Sequence, residues 1–224
     1  MDHITYQFSG CSEYCLRAGN PLSPRRILFV PPLFDEMNRL RRTWVQAMRA
    51  LTARNIASAL PDLPGCNESD AVLSEQDLTA WRGAITAAAD SFAATHLFSV
   101  RGGCLIDDAA HLPVMRLAPV AGASILKAMI RTRIAGDKEA GMISSAESLE
   151  RDVQNSPILL AGHSIGAALW HDLLDAVPAD LFGRGHEFIP DGDKSWALWR
   201  RAEPQYDPEI ASALAHEIDC WSAA

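Results

Sequence analysis

Residues 96–104 read HLFSVRGGC: five mostly apolar residues run without a break into Arg101, two glycines and a thiol. A strand that is apolar on both sides belongs inside a mostly parallel sheet whose two faces are covered. The glycine pair permits a tight turn at its end. The small-residue stretch that follows, CLIDDAAH (104–111), predicts a helix.

The same alternation repeats outward from this point. Upstream, RRILFVPP (25–32) is an apolar run closed by two prolines, and IASALPD (56–62) reads as a short strand. Downstream, PVMRLAPV (113–120) reads as another. Four strands over 27–31, 56–61, 96–100 and 113–118 are therefore expected as neighbours. Between them, Asp35 to Arg54 predicts a helix with Asp35 as its N-cap and Met37, Leu40, Trp44, Met48 and Leu51 on one face. LTAWRGAITAAADSFA (78–93) predicts a second, with Leu78, Trp81, Ile85 and Ala88 inward. ITYQF and EYCLRA, joined by turn residues, suit a hairpin at the start of the chain.

Past Ala121 the pattern weakens. Residues 123–141 are helical and mixed in charge, and ILLAGHSIGAALWHDLL (158–174) reads as strand, turn and helix. SWALWRRAEP (195–204) is a candidate last strand, with Trp196 and Trp199 as core or edge packing, and Ile210, Leu214, Ile218 and Trp221 mark a final amphipathic helix. The expected architecture is α/β: a mostly parallel, doubly wound sheet with helices on both faces. The 224 residues suit one domain, with 121–170 as a small cap or insertion.

Composition excludes several function classes. A net charge of −8 and a pI near 5.3 argue against a nucleic-acid partner. Arg39, Arg41 and Arg42 read as a solvated helix face. No apolar run reaches the ~20 residues of a membrane span, and MDHITYQFSG lacks the form of a signal peptide. The five cysteines are odd in number and lack metal-ligand spacing, so reduced thiols in a cytoplasm are expected, with no metal or cofactor.

FVPPLF (29–34) at the end of the third strand and ALPDLPGCNESD (59–70) after the fourth resemble the α/β-hydrolases. The wider strings PPLFDEMNRLRRTWVQAMRAL, DLPGCNESD, LAPVAGASILKAMIRTRIA and AGHSIGAALWHDLLDA are similar to the second type of hydrolase encoded beside exosortase A and exopolysaccharide genes in Gram-negative bacteria. The resemblance covers Ile27 to Ala179. It implies a hydrolase or acyl transferase acting on an ester or thioester, with a small-molecule or acyl substrate. Oligomeric state stays open.

In that fold the nucleophile stands at a strand-to-helix turn, G-x-S-x-G, facing an oxyanion loop after the third strand. Two segments compete for the role. Ser99-Val100-Arg101-Gly102-Gly103 has the right place, but its nucleophile slot holds Arg101. Arginine stays protonated and cannot attack a carbonyl. It can fork onto a carboxylate or phosphate, or pair internally with Asp107 or Glu36. Leu33, Phe34, Arg101 and Gly102 are then expected in one cleft. Cys104, just below, is a further candidate thiolate beside Arg101 or a small core residue.

Gly162-His163-Ser164-Ile165-Gly166 spells the motif better, making Ser164 the alternative nucleophile. Its position argues against it. Three strand–helix units should follow a true elbow, some ~75–90 residues, and only 58 residues follow Gly166. His186 precedes Asp191 and Asp193, His216 sits on the exposed side of the last helix, and Glu203 falls near the expected histidine loop. Opposed to the hydrolase reading stands a non-catalytic protein that keeps the pocket and uses Arg101 to hold an anionic ligand, or serves as a scaffold.

Overall fold

The computed structural model describes residues 1–190, 196–201, 203–204 and 206–223. Strands β1 (Asp2–Phe8) and β2 (Cys11–Ala18) form the expected antiparallel hairpin. Then come β3 (Arg25–Val30), α1 (Asp35–Thr52), β4 (Ile56–Pro61), α2 (Leu78–Phe92), β5 (His96–Val100) and β6 (Val114–Leu117). After them run α3 (Gly122–Glu139), α4 (Ala146–Val153), β7 (Ile158–Leu160), β8 (His163–Ile165), α5 (Ala167–Asp175), β9 (Gly185–Phe188) and α6 (Pro208–Ser222).

The main sheet is ordered β1-β2-β4-β3-β5-β6-β9. From β4 to β9 every pairing is parallel, so the four expected strands are indeed neighbours. Alternation along the buried strands supplies both faces. Leu28, Val30 and Leu97 enter a core with α2, α3, α4 and α5, whereas Ile27, Phe29, Phe98 and Val100 enter one with α1 and α6. Phe29, Trp44 and Phe98 interlock edge-to-face there at 5.2–5.9 Å, a packing favoured by the ring quadrupoles. The helix faces read from spacing are the buried ones: Met37, Leu40, Trp44, Met48 and Leu51 in α1, and Leu78, Trp81, Ile85 and Ala88 in α2.

Several expectations change. CLIDDAAH is not a helix: Arg101–Leu105 makes one 3₁₀ turn. Asp107 instead turns inward as a fully buried carboxylate and accepts bonds from Ser99 and Arg116. Asp35 is not an N-cap. Phe34 holds that place without a side-chain bond, and Asp35 is the first helical residue. SWALWRRAEP is not a strand where it is described, since Leu198–Arg200 forms a 3₁₀ turn. β9 takes the sheet edge, unanticipated. The arginines of α1 stay solvent-facing, Arg42 exposed and Arg39 and Arg41 partly so, and each also makes a contact. Arg39 donates to the Trp199 carbonyl, Arg41 meets Asp62 at 3.5 Å, and Arg42 lies 4.7 Å over Tyr206.

The GHSIG segment departs furthest. β7 and β8 pair antiparallel as a separate two-stranded sheet. Ala161 (φ 47°) and Gly162 (φ 86°) form their two-residue loop, the left-handed pair that a tight hairpin needs. Among the described residues, no helix is long and apolar enough to cross a membrane.

Candidate functional site

At the carboxyl end of β5 the chain turns through Arg101, whose φ is 52°. A side chain with a Cβ takes this region only under strain, and such positions cluster at functional turns. The glycines after it let the turn close on the loop that follows β3. A Cβ on Gly103 would meet the Pro31 and Val30 carbonyl oxygens at 2.7 and 2.9 Å, and one on Gly102 would meet Leu33 Cγ at 2.8 Å. That loop ends at Phe34, also strained (φ 56°, ψ −137°). Two constrained turns therefore face each other at the carboxyl ends of adjacent parallel strands, where ligands bind in open α/β sheets.

The Arg101 guanidinium folds onto Glu36. Nε donates to both carboxylate oxygens at 3.2 and 3.3 Å, and Nη2 donates to Oε1 at 3.1 Å. Its plane covers the Trp199 ring, 5.1 Å from the centroid. Burial pushes the Glu36 carboxyl above its usual range, and the arginine charge opposes that rise. Of the two internal partners considered for Arg101, Glu36 is the one it meets. Among the described residues, Nη1 has no protein partner.

Below the turn lies a second ion pair. Asp107 accepts from Arg116 Nε at 2.8 Å and Nη2 at 2.5 Å, and from Ser99 Oγ at 2.5 Å. Cys104 is fully buried beside it, and burial pushes its thiol up to about 12. A thiol held so high supplies no thiolate near neutrality. Burial likewise raises Cys66, in the loop after β4, to about 12.

Across from Arg101, His163 reaches over from β8. Its Nε2 lies 3.1 Å from Asp35 Oδ1, and its ring meets Phe34 edge-on at 5.2 Å. The pair spans 128 residues of sequence. Spacing carries no trace of it: sequence reasoning assigned Asp35 a capping role and met His163 only inside the G-x-S-x-G string, and gave neither a place in the site. A cavity of about 140 Å³ lies between these groups, bounded by Leu33, Phe34, Glu36, Arg101 and His163, with Ile125 of α3 on the far wall. His163 also borders a smaller apolar cavity of about 90 Å³, with Leu63, Cys66 and Trp81.

Thus Leu33, Phe34 and Arg101 line one cleft, Gly102 packs behind it, and Cys104 lies beneath. Ser164 stands apart as an exposed residue of β8, paired with Leu159 across the hairpin. His186 lies in β9 beside Trp221, and His216 is exposed on α6. Asp191 and Asp193 lie outside the described residues. Glu203 is exposed. Among the described residues no three His, Cys, Asp or Glu side chains form a metal-binding group.

No protein-family model matches the chain, and no curated protein matches it. Solved structures do. Est1E from Butyrivibrio proteoclasticus, bound to ferulic acid, is similar at a TM-score of 0.62 and 14% identity, over 98% of this chain and 99% of that one. The epoxide hydrolase VrEH1 from Vigna radiata gives a TM-score of 0.44 and 20% identity, over 54% of this chain and 40% of that one. XC6422 from Xanthomonas campestris, an α/β serine hydrolase without lid, gives 0.45 and 18%, over 54% and 62%. The chain thus matches less than two thirds of the length of these last two. The end-to-end match to Est1E, joined to the strand order and the turn at Arg101, shows that this chain has the α/β-hydrolase fold.

Proposed function

We propose that the protein binds a small carboxylate or carboxylic ester in the cavity between the Arg101 turn and α3, and forms no covalent acyl-enzyme there. One observation carries this reading: the side chain at the left-handed turn after β5 is a guanidinium, positioned by Glu36 and Trp199. Arginine cannot act as nucleophile but is well suited to an anionic or carbonyl oxygen. α3, α4 and the β7–β8 hairpin act as a cap over the site. The similarity to exosortase-associated hydrolases supports an acyl compound of exopolysaccharide metabolism as the ligand class. Five free thiols support a cytoplasmic setting.

The test uses two probes. Intact-mass analysis after fluorophosphonate treatment should show no adduct, and ligand-observed NMR should show butyrate binding. Arg101→Ala should weaken that binding about tenfold or more, as expected for a lost charged hydrogen bond. A covalent adduct, or butyrate binding indifferent to Arg101→Ala, overturns the reading.

A further inference from the structure

We propose that His163, oriented by Asp35, is a general base that drives water directly onto an ester held beside Arg101. The inference rests on the cavity being the ligand site and adds a reaction to it.

The geometry supplies each part. With Nε2–H donating to Asp35, the lone pair of the ring stands on Nδ1, which has no protein partner among the described residues. This is the arrangement in which a carboxylate fixes the tautomer of a working imidazole. The Phe34 ring, edge-on at 5.2 Å, limits rotation of the imidazole. The residue that sets Asp35 in place is Phe34 in its strained conformation, so the turn that shapes the cavity also aims the carboxylate. His163 borders both cavities, the larger shared with Arg101 and the smaller apolar and suited to an acyl chain. Base and cation thus flank one space, without any serine or cysteine bonded to His163 among the described residues.

The step balances without a cofactor. Nδ1 takes a proton from water while the water oxygen bonds to the ester carbonyl carbon, and the carbonyl π pair moves to oxygen. Arg101 faces that oxyanion. On collapse the C=O re-forms, the C–OR bond breaks, and Nδ1 returns the proton to the leaving alkoxide. Acid and alcohol leave, and the ring ends neutral. His163 touches the reacting water and is catalytic, whereas Asp35 is a positioning residue.

The experiment measures 4-nitrophenyl butyrate hydrolysis by the full chain, alongside butyrate binding. His163→Gln should lower kcat about 100-fold, within the range for loss of a general base. Asp35→Asn should lower kcat about tenfold with KM unchanged, and Asp35→Glu should restore part of it. Exposed His3→Gln on β1 should match the wild type, so that loss of a surface imidazole does not by itself lower turnover. Wild-type kcat should fall in D₂O, a readout that needs no variant to fold. Hydrolysis equal in wild type and a folded His163→Gln, or no isotope effect, overturns the inference while intact butyrate binding leaves the binding reading standing. Loss of binding in the wild type overturns the binding reading instead. A pre-steady-state burst with an acyl adduct overturns both.

Discussion

Two segments of this molecule resemble a nucleophile turn, one in geometry and one in spelling. Residues 99–103 lack a serine at the turn yet end a strand flanked by parallel neighbours on both sides, pass through φ 52° at Arg101, and pack glycines against the loop after β3. Residues 162–166 spell G-x-S-x-G yet place the first glycine in a two-residue hairpin loop, with open space where its Cβ would be. The difference teaches what a motif stands for. In the first segment Gly103 is demanded by the Pro31 and Val30 carbonyls and Gly102 by the Leu33 and Ile125 side chains. In the second, Gly162 answers only to its own positive φ, and it is Gly166, at the head of α5, that lies against the Ser74 carbonyl.

The largest effect should come from the floor of the first segment. Asp107→Asn leaves Arg116, 11% exposed, without its counter-ion. Breaking such a buried pair costs about 3–5 kcal/mol, which urea unfolding can measure. A loss under 1 kcal/mol would mean that the turn does not rest on this pair. Next come the glycines themselves. Gly103→Ala forces a methyl against two carbonyl oxygens and should cost up to about 3 kcal/mol, in the range of overpacked cores. Gly162→Ala meets no atom within 4 Å and should cost only the left-handed penalty, about 1 kcal/mol. Equal losses would erase the distinction between the two segments.

A smaller effect concerns the Arg101–Glu36 pair, where burial and attraction compete. Burial wins, lifting the Glu36 carboxyl above its ordinary 4.5. A carboxyl raised on folding contributes stability that is fully present below the unfolded value and is lost as pH rises through the folded one. Unfolding free energies of Glu36→Gln and wild type should therefore diverge in favour of the variant as pH climbs from 4.5. Divergence in the opposite sense would show that the pull of Arg101 outweighs the burial.

Much of this fold was legible because its central strands carry apolar residues on both faces. Ile27 to Val30, Ile56 to Leu60 and Leu97 to Val100 are buried without interruption. β9 was illegible for the same physical reason in reverse: three of its four residues are exposed at a sheet edge, so no pattern marks it. The turn at Arg101 could be placed from its strand and glycines. The His163–Asp35 contact could not, since it joins two elements through tertiary packing alone. Asp107 misled the helix assignment because a carboxylate in a small-residue run reads as surface until its partner Arg116, nine residues on, is seen.

The smallest expected effect belongs to the residue that best fits the written motif. Ser164 is exposed on β8, its neighbours His163 and Ile165 point the other way, and no side-chain bond ties it to the hairpin among the described residues. Removing one exposed hydroxyl from such a place should change stability by less than about 0.5 kcal/mol. Ester turnover should be unchanged too, because successive strand residues face opposite sides and it is His163 that meets Asp35. A true nucleophile behaves otherwise: its loss lowers turnover by several orders of magnitude, since the groups around it act as a unit. Ser164→Ala measured with 4-nitrophenyl butyrate, with folding checked by thermal unfolding, therefore separates the two segments cleanly. A collapse of turnover in a folded variant would move the chemistry from the Arg101 turn to the hairpin, and the geometry of residues 99–103 would then be an empty scaffold.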